Sequence, residues 1–193
     1  AAAAGEMQVL TPQRKGGAGV EVINKALQAA LNPISRTNPR SPSWGARDEQ
    51  IFVGDRVIQT ANNYDLGVMN GETGVVVGLD DTALVVDFGE DGVAREATYN
   101  RLQASALHLA YAITIHKSQG SEYPCVCVVV HSTHTMMLTR ALVYTAITRA
   151  RQGVVIVGDE IGLKRAVANV HDTSRNSSLQ RRLERAASDG GAS

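Results

Sequence analysis

Two blocks, residues 111–124 and 143–151, carry side chains whose types and spacing suit contact with phosphate groups. The first reads YAITIHKSQGSEYP and the second reads VYTAITRAR. Hydroxyl and ammonium groups donate hydrogen bonds to phosphate oxygens, and the guanidinium of arginine adds a planar fork with a permanent charge. Each block lies beside an apolar run. The pair therefore predicts a protein that grips phosphates.

The first block is expected to begin where a strand ends, at Tyr111–Thr114. Ligands of α/β proteins bind beyond the carboxyl ends of such strands. Gly120 permits a tight turn or a close backbone approach, and the Glu122 carboxylate suits a ribose hydroxyl better than a phosphate. The candidate contacts are Thr114, His116, Lys117, Ser118, Gln119, Gly120 and Glu122. Since the same residue types also form loops and helix caps, that structural interpretation stays open.

The second block is expected to lie at the end of a helix over Met136–Arg151. Residues two apart on a helix differ by about 200°, so Arg149 and Arg151 should point apart. One of them can then reach a ligand, where a guanidinium stabilises a transferring phosphoryl group. The alternative is an arginine-rich helix end that is favourable with the helix dipole.

The composition argues against a surface that is strongly positive overall, because the chain has 19 Lys plus Arg and 19 Asp plus Glu. Any nucleic-acid contact must therefore come from a local patch. Cys125 and Cys127 lie too close on one strand face for an easy disulfide, and two soft ligands make no zinc site, so we expect no metal centre. No run is long enough for a membrane span and no signal peptide is present, so we expect a cytoplasmic protein.

Hydrophobic periodicity changes twice along the chain, which predicts an α/β domain interrupted by an inserted one. Strands at Gln8–Thr11, Leu109–Thr114, Val126–Val130 and Val154–Val157, with helices at Val20–Leu31, Met136–Arg151 and Ile161–Val170, indicate a parallel sheet. Short runs between residues 51 and 106 indicate a small antiparallel barrel. We expect residues 6–47 plus 107–187 to form one domain and residues 48–106 the other. Residues 1–5 and 188–193 are expected to be cut or disordered ends.

Four segments, taken in order, resemble the superfamily 1 DNA helicases, specifically the RecD-like branch (the exodeoxyribonuclease V alpha-subunit type). They are VLTPQRKG at 9–16, GDRVIQTANNYDLGVMNGETG at 54–74, AYAITIHKSQGSEYP at 110–124 and LVYTAITRAR at 142–151. The resemblance spans most of residues 6–170. It implies the second RecA-like motor domain of an ATP-dependent helicase, with an inserted SH3-like barrel and 5′→3′ polarity.

The resemblance also implies roles for single residues. Arg149 would be the arginine finger that reaches the γ-phosphate of ATP, and Arg14, with Lys15 beside it, would lie near the same phosphate. Gly120 and Glu122 would flank the nucleotide. The residues expected to hold single-stranded DNA are Thr114, His116, Lys117 and Ser118, with Asn62, Asn63 and Tyr64 as candidate contacts on the barrel.

The chain departs from the family in one respect, since it has no GxxxxGK[ST] phosphate loop. Without that loop and its Mg²⁺-binding carboxylate, ATP cannot be held and cleaved. Because the chain opens on Ala1–Ala4 without an initiator methionine, we expect it to be part of a longer protein. The other motor domain of that protein would hold ATP with Mg²⁺, and the 193 residues alone should be inactive.

The expected partners are single-stranded DNA, single/double-strand junctions, the protein's own N-terminal motor domain and subunits of a nuclease complex. Two alternatives stay open. One is a non-enzymatic module that binds nucleic acid or protein through the barrel, although five Tyr, two Phe and one Trp are too few for an extensive stacking platform. The other is a conjugative relaxase–helicase fusion.

Overall fold

The computed structural model describes residues 7–33, 42–46, 49–89 and 92–170. Its strands are β1 (Met7–Thr11), β2 (Trp44–Ala46), β3 (Glu49–Ile51), β4 (Arg56–Gln59), β5 (Thr73–Leu79), β6 (Leu84–Asp87), β7 (Glu96–Tyr99), β8 (Leu107–Leu109), β9 (Ala112–Thr114), β10 (Tyr123–Val130) and β11 (Ala150–Gly158). Its α-helices are α1 (Val20–Leu31), α2 (Arg140–Ile147) and α3 (Glu160–Ala168), with 3₁₀ turns at Gln103–Ala106 and Ser132–Met137.

A four-stranded parallel sheet in the order β11-β10-β1-β9 forms the first layer. Leu10 and the alternate residues Val126, Val128 and Val130 of β10 are buried in one core. Ala146 of α2 and Ala166 of α3 pack into the same core, because both helices lie over this face of the sheet. The α/β class predicted from the apolar runs is confirmed.

A five-stranded antiparallel sheet, in the order β7-β6-β5-β4-β8, forms the inserted part, beside a β2-β3 ribbon. Leu84, Val86 and Phe88 point into its core, as their alternation predicts. In β5 the buried residue is Val76, whereas its neighbours Val75 and Val77 are exposed. The predicted small antiparallel barrel is thus present.

Two predicted elements were wrong in extent. The expected strand over 109–114 is divided between the sheets: Leu107–Leu109 pairs with β4, and Ala112–Thr114 pairs with β1. The expected helix over 136–151 is shorter at both ends. The Thr139 hydroxyl caps α2 by accepting from the Leu142 N–H, and β11 already begins at Ala150.

Trp44 lies in strand β2. It is buried in the core of the antiparallel part, and its indole N–H donates to the Asp80 carbonyl at 2.8 Å. The predicted tail helix beyond Asn176 and the predicted disordered ends lie outside the described residues. Within the described ranges, no helix is long and apolar enough to cross a membrane.

Candidate functional site

The two arginines singled out from the sequence lie at opposite ends of the parallel strands. Thr11 and Thr114 pair at the carboxyl ends of β1 and β9, and Arg14 follows directly. Tyr123 and Ala150 pair at the amino ends of β10 and β11, next to Arg149. Leu10, near the carboxyl end of β1, pairs with Val128 of β10. The five residue-to-residue steps from Tyr123 to Val128 span about 16 Å, which is the distance along β10 between the two strand ends. Arg14 and Arg149 are therefore not brought together.

The segment 115–122, called here the crossing segment, connects these two ends. It leaves β9 at the carboxyl end and enters β10 at the amino end. Gly120 is exposed within it at φ +87°, a left-handed conformation that favours glycine, and nothing lies within 4 Å of the position a Cβ would take. The polar block predicted as one site therefore reaches both ends of the sheet.

At the carboxyl end, Lys117 and Arg14 form a local cationic patch. Both side chains are exposed, and Arg14 pairs with Glu21 at 3.2 Å. Partial burial lowers the pKa of the Lys117 ammonium, and the nearby Arg14 charge lowers it further. His116 and Lys15 are also exposed. Four cationic or titratable side chains can thus meet a phosphate backbone here.

Ser118 differs from its neighbours, because its side chain is fully buried. Its hydroxyl donates to the Ile115 carbonyl at 2.8 Å, and its N–H donates to the Thr114 carbonyl at 3.2 Å. Ser118 therefore stabilises the crossing segment, and its hydroxyl points away from solvent. Thr114 stays half-buried, and its hydroxyl accepts from the Lys117 N–H at 3.2 Å.

At the amino end, Arg149 is held by main-chain oxygens. Its guanidinium donates to the Thr145 carbonyl at 3.2 Å and to the Ser121 carbonyl at 3.3 Å. Its own carbonyl accepts from the Tyr123 N–H at 2.8 Å. Within the described residues, no carboxylate lies within the 4.0 Å salt-bridge distance of this guanidinium. Arg149 therefore keeps an uncompensated charge in a fixed position.

Arg151 has a different environment from Arg149, although only one residue separates them. It donates to the Glu122 carboxylate at 2.8 Å, and both side chains are more than half exposed. The sequence expectation placed both arginines on one helix, but the helix ends at Ile147 and Arg151 lies in strand β11. Arg151 is thus paired with a carboxylate, whereas Arg149 has no carboxylate partner among the described residues.

On the barrel, Asn62 and Asn63 shape a loop from which Tyr64 projects. Asn62 accepts from the Asn70 N–H at 2.9 Å, and Asn63 accepts from the Leu66 N–H at 3.2 Å. Tyr64 is 76% exposed, and its hydroxyl accepts a hydrogen bond from the Asn62 amide at 3.1 Å. Of these three predicted contacts, Tyr64 is the side chain best presented to a partner.

Two cavities flank Lys117. One of about 420 Å³ lies between α1 and strands β8 and β9, and is called here the α1 cavity. The other, of about 960 Å³, lies between the crossing segment and the barrel and is called here the barrel cleft. Arg95 of the barrel and Arg151 both line the barrel cleft. Lys117 therefore lines both cavities, where the parallel-sheet part meets the barrel.

Sequence reasoning missed a buried polar junction between α1 and the barrel. The fully buried Asp55 carboxylate accepts from Gln28, Asn32 and the Tyr111 hydroxyl. Asn24 adds a second link by donating to the Leu109 carbonyl at 2.9 Å. The available signal was the polar residues within the amphipathic helix α1, Asn24 and Gln28, with Asn32 at its C-cap.

Helicase family models match both layers of the chain. The UvrD-like helicase C-terminal domain matches residues 109–157, and the SH3 domain of ATP-dependent RecD-like DNA helicases matches residues 23–88. Among solved structures, Bacteroides Pif1 bound to ssDNA has a similar fold, with a TM-score of 0.56 and 21% identity over 98% of this chain and 47% of that chain. The family models and the fold identify a superfamily 1 helicase motor domain of RecA-like architecture with an SH3-like insertion.

Two curated relatives show which helicase family within this class the chain belongs to. The ATP-dependent RecD2 DNA helicase of Deinococcus radiodurans is 40% identical over 93% of this chain, and the RecBCD enzyme subunit RecD of Mycolicibacterium smegmatis is 35% identical over 92%. The chain belongs to the RecD-like DNA helicases. It spans about a quarter of the length of these relatives, 24% and 29% respectively. The alternative of a binding module built around the barrel is not favoured.

Proposed function

We propose that this chain supplies one half of the ATP site and part of the single-stranded DNA grip of an ATP-dependent, 5′→3′ DNA helicase. In this proposal, residues 6–47 plus 107–187 are the second motor domain and residues 48–106 are the inserted barrel. The observation that carries it is the Arg149 guanidinium, which is fixed by main-chain oxygens and has no carboxylate partner among the described residues. A charge held in this way favours an incoming anion.

The residues at the amino end of β10 suit the polyphosphate and ribose of ATP. Arg149 offers the guanidinium, Gly120 leaves open space for close approach, and the Glu122 carboxylate can accept from a sugar hydroxyl. When bound, ATP would supply the phosphoryl group whose hydrolysis drives movement. Arg149 stabilises the charge that develops on that group. Lys15 and Arg14 lie at the other strand ends of the same domain, so their predicted contact with the γ-phosphate is not included in this proposal.

In this proposal, Mg²⁺ is held by the first motor domain and not by the described residues of this chain. Among the described residues, no group of three or more His, Cys, Asp or Glu side chains could hold a metal ion. The sequence also has no phosphate loop. The chain's own residues therefore bind and position the nucleotide from one side, and the first motor domain would hold Mg²⁺.

The proposed DNA grip consists of Thr114, His116 and Lys117, with Ser118 positioning them through its buried hydrogen bond. Contact with phosphates instead of base edges suits a motor that steps along any sequence. Tyr64, with Asn62 and Asn63 shaping its loop, is the proposed barrel contact with a strand or junction. Subunits of a nuclease complex are also proposed as partners, because the RecD relative is a subunit of the RecBCD enzyme.

The purified 193-residue chain is expected to show no ATPase activity, because it provides only one side of the site. The measurement is phosphate release with saturating ATP, Mg²⁺ and oligonucleotide. The full-length protein is the positive control and should hydrolyse ATP in a DNA-dependent manner. Turnover by the chain alone that disappears in Arg149→Ala would show that the site is complete without a second domain.

Lys117→Ala in the full-length protein is expected to weaken single-stranded DNA binding and to reduce the salt dependence of log Kd by about one unit of slope. The reason is that one phosphate contact and its released counterion are lost. Lys164→Ala is the matched control, since Lys164 is exposed on α3 and pairs with Glu160. An unchanged slope in Lys117→Ala would remove Lys117 from the DNA grip.

A further inference from the structure

Strands β10 and β11 are covered well on one face of the parallel sheet and poorly on the other. Alternate residues of β10 from Val126 to Val130 are fully buried, because α2 and α3 pack over this face, called here the covered face. Cys127 and Val129 lie between them, so they point to the opposite face, where they are only half-buried. Their partners on β11 are Val155 and Val157, which are 48% and 52% exposed.

The opposite side of the sheet is called here the open face, and its side chains are apolar or thiol groups. It consists of Val9, Cys125, Cys127, Val129, Val155 and Val157. In proteins with parallel sheets, the helices of the crossover connections normally bury the strands on both faces. A contiguous apolar surface of this kind marks a place where another element binds.

Strand β11 also differs from the edge strands that proteins leave unpaired. Among the described residues it pairs with β10 on one side, and it forms the end of the sheet. Natural edge strands are usually short, or they carry charged residues or proline that prevent pairing with another strand. β11 has nine residues, and its segment 153–158 reads GVVIVG, without charge or proline. This composition is typical of an interior strand that is paired along both edges.

The handedness of strand connections limits where a further strand can come from. Connections between parallel strands of one sheet are almost always right-handed. The connection from β10 to β11 runs outward across the sheet and places α2 on the covered face. A connection in the opposite direction, from beyond β11 back to β1, therefore places its helix on the open face. A strand and a helix that directly precede β1 would cover both the β11 edge and the open face.

The residues that follow α3 fit this place less well. Because α3 lies on the covered face, a strand formed after it would leave the open face uncovered. Residues 171–193 contain no Val, Ile, Phe, Tyr or Trp, so they lack a strand-forming run. A preceding unit has ample room in a protein as long as the curated relatives, since this chain spans 24% and 29% of them.

We propose that the open face and the outer edge of β11 bind a strand followed by an amphipathic helix, both from the same polypeptide and directly preceding β1. The strand runs parallel to β11 and pairs with its outward N–H and C=O groups. The helix packs an aliphatic stripe on Cys127, Val155 and Val157, and its polar side faces solvent. The second motor domain then begins before residue 6, and β11 is one of its interior strands.

This arrangement also determines where the polypeptide enters the domain. A strand parallel to β11 begins at the level of Ala150, which is the end of the sheet where Arg149 lies. The segment before that strand therefore arrives beside Arg149, where the first motor domain has to hold ATP. This placement of the first motor domain rests on the proposed function, whereas the strand and the helix rest on the sheet alone.

A photo-cross-linker identifies the segment that occupies the open face in the full-length protein. Val157 is replaced by p-benzoylphenylalanine, the protein is irradiated, and the joined peptides are identified by mass spectrometry. We expect the cross-link within roughly 35 residues before Met7, the length of a strand, a helix and two turns. Cross-links to residues 171–193, to a more distant part of the preceding polypeptide, to a second copy or to the sheet's own residues alone would each overturn the proposal.

Hydrogen exchange of the full-length protein gives a second measurement that needs no variant. The amides of residues 150–158 should exchange within about tenfold of those of β10, because both strands are then paired along both edges. If alternate β11 amides exchange like an unstructured chain while β10 stays protected, the edge is unpaired and the proposal fails. Since this exchange requires neither ATP nor DNA, such a result leaves the proposed function standing. Protected β11 amides in a protein without DNA-dependent ATP turnover would contradict the proposed function instead.

Val157→Asp places a carboxylate under the proposed helix in the full-length protein. We expect the β11 amides to exchange at least about tenfold faster than in wild type, because a buried charge without a partner is costly. Val77→Asp is the matched control, since Val77 is 46% exposed on strand β5 of the barrel. It should keep the β11 amides within about twofold of wild type. Wild-type exchange in Val157→Asp would show that Val157 stays exposed and that no helix covers it.

Discussion

Replacing Arg149 with alanine in the full-length protein is expected to lower ATP turnover on the order of 10³-fold, the effect of losing an arginine finger. The expected cause is electrostatic. The guanidinium is held at a fixed place by the Thr145 and Ser121 carbonyls, so it can stabilise transition-state charge without reorganising. Affinity for single-stranded DNA should change little, because the proposed grip lies at the other end of the strands.

The lysine variant at the same position tests the geometry as well as the charge. Arg149→Lys keeps a cation but loses the planar fork that reaches two carbonyls, so most of the turnover should still be lost. The matched control is Arg140→Ala on the same helix, since Arg140 is exposed and its guanidinium, among the described residues, donates only to the Val167 carbonyl. Steady-state phosphate release and oligonucleotide anisotropy are measured for each variant. Near wild-type kcat in Arg149→Ala would remove the finger assignment.

Local sequence rules predicted the elements whose stability is local. The bounds of α1 were predicted at Val20 and Leu31 because its apolar spacing is regular and Pro33 follows its end. The helix over 136–151 failed for the opposite reason. Pairing with β10 extends strand β11 back to Ala150, and no local signal in TRAR indicates that pairing. Strand 109–114 was divided for the same reason, since its halves pair with different sheets.

The candidate site shows the same division between local and tertiary information. The expectation that Arg149 and Arg151 point apart assumed one helix through both, but the helix ends at Ile147 and Arg151 lies in strand β11. Nothing in the sequence could say which of the two is paired. That answer comes from Glu122, which is brought near Arg151 by the pairing of Tyr123 with Ala150. The burial of Ser118 and the α1 cavity were likewise out of reach, because both arise where segments distant in sequence meet. Residue types indicate the chemistry, and register decides which side chains can perform it.

The polar junction under the barrel leads to the largest expected effect on stability. Asp55 is fully buried and accepts four hydrogen bonds: from Gln28, from Asn32 at 2.7 Å, from the Phe52 N–H at 2.9 Å and from the Tyr111 hydroxyl at 2.8 Å. Burial raises the pKa of the Tyr111 phenol, and the Asp55 carboxylate raises it further, so this donor stays protonated. One carboxylate therefore satisfies donors from α1, the barrel and the segment before β9.

Asp55→Ala is expected to lower the free energy of unfolding by about 3 kcal/mol or more, because four buried donors lose their acceptor together. In a chain of this size, that loss corresponds to a Tm lower by roughly 10 °C. Asp55→Asn should fall between wild type and alanine, since one oxygen remains while its amide group faces other donors. Asp65→Ala is the matched control, because Asp65 is exposed on a barrel loop. Thermal unfolding followed by circular dichroism measures all three variants. Equal Tm values for Asp55→Ala and Asp65→Ala would show that the Asp55 junction does not contribute to the stability of the fold.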